Sequence, residues 1–302
     1  MKELWGIDLG GTKIEGVVLS QQDLSHPICR IRVPTEAAKG YSHILQQISL
    51  LIGLMRKETG KVPDIIGIGT PGTIDPFTGK MKNSNTVCLN GQPLKDDIEV
   101  LLKCPVMMAN DANCFALAEA TMGVAAREVP HAEVVFGVIM GTGVGGGLVV
   151  NKKIIGGIHG IAGEWGHNFL DESGGPCYCG KTGCVETVIS GPALQRYYTR
   201  LSGEAISLPQ IIQKYEQSAD PNATLVIDRL LKYFGKALSV VINILDPDVI
   251  VLGGGLGNIQ MLYTQGVTEV KNHVFNSRLD TKFLKPALGD SAGVFGAALL
   301  TL

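Results

Sequence analysis

The chain has 302 residues, enough for two domains at the usual size of roughly 150 residues each. Hydrophobic residues make up 45% and charged residues 18%, which excludes a disordered chain, and a net charge of -2 leaves no electrostatic footprint for nucleic acid. Glycine is over-represented at 39 residues but follows no Gly-x-y period, so it marks clustered tight turns and not collagen.

Leu4 to Asp8 is a short apolar strand, Gly10-Gly11-Thr12-Lys13 a turn, and Ile14 to Leu19 the return strand of a hairpin. Residues 42–59 have helical spacing, with Ile44, Leu45, Ile48, Leu51, Ile52 and Met55 on one face. Ile65 to Ile68 predicts a buried strand ended by Gly69-Thr70-Pro71-Gly72. Val106 to Ala109 predicts another, followed by Asn110-Asp111 and a helix over about 112–122. Strands are expected at 134–140 and 147–155, and helices at about 191–202, 207–217 and 222–245. Val249 to Leu252 is a strand ending in Gly253-Gly254-Gly255, and Gly289 to Gly293 forms a last turn before an Ala-rich terminal helix. Strands alternating with helices make the fold class α/β. No uninterrupted apolar run reaches membrane-spanning length, and the start has no signal-peptide core, so a cytoplasmic protein without a membrane partner is expected.

Residues 6–19 (GIDLGGTKIEGVVL) align without a gap on residues 137–150 (GVIMGTGVGGGLVV). Gly6 matches Gly137, Gly10 matches Gly141, and Gly16 matches Gly147. A repeat spaced by nearly half the chain fits two similar domains, each opening with the same hairpin. Two such turns could grip a polyphosphate through backbone N–H groups. Only the first copy carries a carboxylate, Asp8, which a cation accompanying the phosphates could use. Gly141-Thr142-Gly143-Val144-Gly145-Gly146 matches G-x-G-x-x-G, but a strand follows it where a dinucleotide-binding fold needs a helix.

Asn110-Asp111 lies where a strand ends and a helix begins. Asp there is a favoured helix cap, and it is equally placed to accept a proton from an attacking hydroxyl. Cys177, Cys179 and Cys184 form C-x-C-x4-C, and His167 lies ten residues upstream of the first. Three thiols this close, among an odd count of seven cysteines, favour a structural tetrahedral zinc over disulfides. Glu164 and Glu186 flank this loop and could accept hydrogen bonds from sugar hydroxyls. Asn83, Asn85 and Asn90, with Gly72, offer a polar set in the N-terminal half.

In this order, the motifs resemble the ROK sugar kinases and repressors, within the actin/hexokinase-type ATPases, over essentially the whole chain. The resemblance implies a two-domain actin-like, ribonuclease H-like fold with duplicated phosphate hairpins and an active-site cleft between the domains. It divides the chain into a small domain, 1–109 joined by the terminal helix at about 290–302, and a larger one, 110–289, with the zinc loop. It implies that Asp111 is the catalytic base. Gly72, Asn85, Asn110, Glu164, His167 and Glu186 would hold the sugar, His167 serving also as zinc ligand with Cys177, Cys179 and Cys184. Asp8, Gly10, Gly11, Thr12, Lys13, Gly141, Thr142, Gly143, Gly254 and Gly255 would hold ATP and magnesium, and a homodimer is expected. Within the family the wording at 83–93, 162–168, 176–181 and 243–255 is most similar to bacterial fructokinases with mannose activity. That implies phosphorylation of fructose at the 6-hydroxyl. N-acetylglucosamine, N-acetylmannosamine and glucose kinases are the alternatives, since 110–120 is similar to N-acetylglucosamine kinases. The His167-to-Cys177 spacing is shorter than in either group, at a stretch bordering the sugar pocket. A sugar-responsive repressor is the reading of another class, but only seven residues precede Asp8, too few for a helix-turn-helix.

Overall fold

The computed structural model describes residues 2–218 and 220–302. The chain opens with strands β1 (Glu3–Leu9), β2 (Lys13–Ser20) and β3 (Cys29–Pro34), then helix α1 (Tyr41–Thr59) and β4 (Ile66–Thr70). A small hairpin of β5 (Thr73–Ile74) and β6 (Met81–Lys82) precedes α2 (Leu94–Leu102), β7 (Val106–Asn110), α3 (Asp111–Thr121) and α4 (Val124–Glu128). The second half starts with β8 (Val134–Met140), β9 (Val144–Val150) and β10 (Lys153–Ile154). Helices α5 (Val185–Ile189), α6 (Gly191–Ser202), α7 (Leu208–Glu216) and α8 (Pro221–Leu245) follow. The chain ends with β11 (Val249–Gly253), α9 (Gln265–Lys271), β12 (Lys282–Leu284) and α10 (Ala292–Leu299). The strand expected at 147–155 is two strands, because Asn151 and Lys152 turn the chain with positive φ.

The first sheet has the order β3-β2-β1-β4-β7 and the second β10-β9-β8-β11-β12. In the first, β1, β2 and β3 pair antiparallel, while β4 and β7 add in parallel. In the second, β10 pairs antiparallel with β9, while β11 and β12 add in parallel. The repeat seen in the sequence as one hairpin therefore extends to a whole sheet. This is the α/β, actin-like fold class expected from the motifs.

The chain groups into two compact units: residues 1–130, 147–162 and 287–302 form the first, and 131–146 with 163–286 the second. The boundary read from the sequence at 109/110 falls inside the first unit, because α3 continues from β7 and packs on α10. In this unit α1 buries Ile44, Ile48, Leu51, Ile52 and Met55 against Trp5, Ile7, Leu9, Ile66 and Ile68. Helix α3 is buried from Ala112 to Ala120, so it lacks a polar face. Glycines let other elements approach its backbone. A Cβ at Gly147 would lie 2.4 Å from the Ala112 carbonyl oxygen, and one at Gly296 1.8 Å from that of Cys114. These two glycines serve packing and not a ligand.

Glu119, on α3, is fully buried. Its carboxylate accepts from the Val124 N–H at 2.7 Å, from Ala287 N–H at 3.1 Å and from Leu288 N–H at 3.1 Å. It thereby ties α3 to the segment entering α10. Among the described residues, no helix is long and apolar enough to cross a membrane. Glu119→Ala strands three backbone donors, so urea unfolding should show a loss of about 3 kcal/mol or more. A loss below about 1 kcal/mol would contradict the tie.

Candidate active site and metal centre

In the first unit, the β1–β2 turn is closed by Gly10 N–H to the Lys13 carbonyl at 3.0 Å. Thr35 pins it from below: its N–H donates to the Thr12 carbonyl at 3.0 Å and its hydroxyl to the Gly10 carbonyl at 2.6 Å. Gly11 and Thr12 are left exposed at the tip. Thr35 is fully buried and has no signal in the sequence beyond its place after a strand. Lys13 turns its ammonium toward the buried Glu15, 3.8 Å away. Glu15 also pairs with Arg32 at 3.0 Å and with Arg30. The basic cluster thus hangs on one carboxylate beside the turn.

Asp8 is the last residue but one of β1, just before this turn. Its pKa is raised to about 6, first by burial, then by the negative charges of Asp111 and Glu15, with Lys13 offsetting part. The start of α10 lies close by, since a Cβ at Gly293 would sit 3.0 Å from Asp8 Oδ2. A crowded carboxylate of this kind is relieved by a divalent cation.

Asn110, and not Asp111, caps α3: Asn110 Oδ1 accepts from the Asn113 N–H at 2.8 Å. Asp111 is the first helical residue, and its Oδ1 accepts from the Ala112 N–H at 2.8 Å. Because Asn110 makes the capping bond, the Asp111 carboxylate is not needed as the cap. The side chain reaches solvent, yet the surrounding protein desolvates it enough to raise its pKa above the ordinary carboxylate value. Gly72 has φ +87°, and a Cβ there would meet the Lys82 carbonyl at 2.6 Å, so only glycine fits. Asn85 is exposed in the same stretch. The Asn90 amide clamps Ser84, accepting from its N–H and donating to its carbonyl, each at 2.9 Å.

In the second unit, the turn Gly141-Thr142-Gly143 is closed by Gly141 N–H to the Gly143 carbonyl at 2.9 Å. Glu186 supports it: its Oε2 accepts from the Val144 N–H at 2.9 Å, and a Cβ at Gly143 would come within 2.5 Å of that oxygen. One oxygen of Glu186 therefore shapes the turn. Gly254 has φ +77° and would meet the Met140 carbonyl at 2.3 Å if it carried a Cβ, whereas Gly255 has open space around its Cα.

Glu164 begins the short 3-10 helix Trp165–His167. Trp165 is buried and donates to the Gly145 carbonyl at 2.8 Å, which locks this helix to β9. His167, Cys177, Cys179 and Cys184 come together, with all four ligand atoms within 4.8 Å of one another. Cys177 Sγ is 3.6 Å from His167 Nδ1, and Cys179 Sγ is 3.6 Å from Cys184 Sγ. A tetrahedron with bonds of about 2.3 Å has edges of about 3.8 Å, so the set fits zinc through Nδ1. The other ring nitrogen, Nε2, is 3.0 Å from the Tyr178 hydroxyl. The sequence reading did not single out Tyr178, which stands beside this set.

Duplicated sheets, each opening with a glycine-rich hairpin turn, and a carboxylate just past a strand match the actin/hexokinase-type fold expected from the sequence. Residues 4–302 match the ROK family, and the chain belongs to it, among its sugar kinases. It is 33% identical to an N-acetyl-D-glucosamine kinase of Aliivibrio fischeri over 99% of both chains. It is 35% identical to one of Yersinia pseudotuberculosis, over 99% of this chain and 98% of the relative. Among solved structures, a ROK hexokinase from Thermus thermophilus matches with a TM-score of 0.86 and 31% identity, covering 98% of this chain and 97% of that one. A ROK family glucokinase from Streptomyces griseus, in complex with glucose and AMPPNP, matches at 0.77 and 26%, covering 99% and 98%.

Purified protein is expected to carry about one zinc per chain, and stripping it should lower Tm by about 5–10 °C. Metal-free protein that keeps its full Tm would rule out the structural role.

Proposed function

We propose that the protein is an ATP-dependent N-acetylglucosamine kinase that transfers the γ-phosphoryl group to the sugar 6-hydroxyl. The observation that carries the reaction type is Asp111: a carboxylate at the start of α3, relieved of capping by Asn110 and raised in pKa by its surroundings. Its carboxylate accepts the proton of the sugar hydroxyl as the hydroxyl oxygen attacks the γ-phosphorus and the bond to ADP breaks. Asp8 holds the magnesium that accompanies the phosphates. The exposed residues Gly11 and Thr12 in the first unit, and the Gly141–Gly143 turn in the second, offer N–H groups to phosphate oxygens, with Lys13 nearby. Gly254 and Gly255 give close approach to the nucleoside. Gly72, Asn85 and Asn110 in the first unit, with Glu164 and Glu186 in the second, recognise sugar hydroxyls. A homodimer belongs to the same proposal.

The choice of the N-acetylated sugar over fructose rests on the relatives named above, matched end to end, which are N-acetyl-D-glucosamine kinases. The similarity to fructokinases rests on short stretches only. An ADP-release assay with N-acetylglucosamine, N-acetylmannosamine, glucose, mannose and fructose decides the matter. We expect kcat/KM for N-acetylglucosamine to exceed that for fructose by about tenfold or more, a difference of about 1.4 kcal/mol in transition-state binding. Fructose as the best substrate would overturn the choice of sugar, and no turnover with any of them would overturn the kinase reading.

A further inference from the structure

We propose that Glu15 is a positioning residue of the magnesium site: it gathers the basic side chains beside the first turn and so keeps Asp8 open to the cation that accompanies the phosphates. The inference rests on the reading of Asp8 given above and deepens it. Strand register places the groups. Gly6 and Asp8 share the face of the first sheet that α10 covers. A Cβ at Gly6 would lie 2.4 Å from the Ala298 nitrogen, and one at Gly293 3.0 Å from Asp8 Oδ2. Asp8 pairs with Glu15 on β2, and Glu15 pairs with Arg32 on β3. Paired residues share a face, so Arg32, Glu15 and Asp8 form one row across three strands. Lys13 stands two residues before Glu15, and Arg30 two before Arg32, so both flank the row on that face.

All three cations go to one of the two carboxylates. Lys13 is 3.8 Å and Arg32 3.0 Å from Glu15, and Arg30 donates to it as well. Among the described residues, no basic side chain pairs with Asp8. The division has a physical reason. The Glu15 side chain is 1% exposed, and a carboxylate so buried has to be paired. Arg30 is held from its other side too, donating to Ser291 Oγ just before α10. The cations are long and 36% to 48% exposed, so they can swing once the carboxylate between them is neutral. Asp8 is then the next carboxylate along the row. Arg32 is two strand spacings from it, about 10 Å between backbones, a span that an arginine and an aspartate cover together. A guanidinium on Asp8 competes with a divalent cation for the same oxygens. Glu15 thus sorts the charges: the basic side chains to itself, the metal to its neighbour.

The test uses the full chain and the variant Glu15→Gln, titrated calorimetrically with ADP, once with excess Mg²⁺ and once with EDTA. The proposal expects the Kd for ADP with magnesium to rise about tenfold, the scale of one charge interaction near the protein surface. Without magnesium the Kd for ADP should stay or fall, because the phosphates then meet the same cations and one negative charge fewer. Adding Arg30→Gln and Arg32→Gln to Glu15→Gln should bring the magnesium value back to within about threefold of the unsubstituted protein. Should Glu15→Gln not fold, Glu15→Asp is judged by the same pair of titrations. Its shorter side chain draws the charge away from the arginines, and binding with magnesium alone should weaken. An unchanged Kd with magnesium overturns the proposal. Weaker binding both with and without magnesium also overturns it, since Glu15 would then only support the turn, and so does failure of the arginine substitutions to restore binding. If ADP binding to the unsubstituted protein is indifferent to magnesium, the reading of Asp8 fails and this proposal with it, a result that appears before any variant is compared.

Discussion

The position of Asp111 depends on how closely backbone can approach α3. The helix has no polar face from Ala112 to Ala120, so it has to be covered on all sides. Side chains would hold its neighbours too far away. Gly147 and Gly296 remove the obstruction and bring backbone against Ala112 and Cys114. Glu119 then ties the other end of the helix to the segment entering α10 through three backbone donors. Both ends of α3 are thereby fixed, and Asp111 has a rigid base. The same α10 brings Gly293 up to Asp8, so one packing arrangement sets the surroundings of both carboxylates.

The carboxylates of the first unit are kept at a cost. Asp8 is pushed to about 6 by burial and by the charge of Asp111. By linkage, this lowers stability as pH rises: the contribution is intact below the ordinary carboxylate range and lost by about pH 6. A fold optimised only for stability would neutralise one of the pair. Retaining both is consistent with a partner of opposite charge arriving with the substrate. In the second unit the loop from 163 to 184 has little apolar surface with which to fold. His167, Cys177, Cys179 and Cys184 come together in that stretch, a set that could hold a metal ion.

Much of this was legible in the sequence because it is local. The hairpin around Gly10 to Lys13, its copy around Gly141 to Gly146, and the ligand spacing from Cys177 to Cys184 all follow from neighbouring residues. The sheet duplication was only partly visible, since β3, β10 and β12 are short and carry weak patterns. Residues whose partners are distant in sequence were not legible. Glu119 reads as one more helical charge, though its acceptors serve residues 287 and 288. Thr35 reads as a loop residue, though it holds the first turn. Asn90 read only as part of a polar set, though its amide also clamps Ser84. The capping question at Asn110-Asp111 could not be settled from residue type, since both are favoured caps. The side-chain bond to Asn113 settles it in favour of Asn110.

The central claim is that Asp111 is the proton acceptor and that its surroundings raise its pKa. The most direct measurement is kcat/KM against pH for the unsubstituted protein and for Asp111→Asn, with sugar binding checked by calorimetry. A base must be ionised, so activity is lost as pH falls through its pKa. The account predicts an acid limb centred above the ordinary value of about 3.9. It also predicts that Asp111→Asn binds sugar normally but turns over about 10²–10⁴-fold more slowly. Near-normal turnover in Asp111→Asn, or an acid limb at the ordinary carboxylate value, would contradict it.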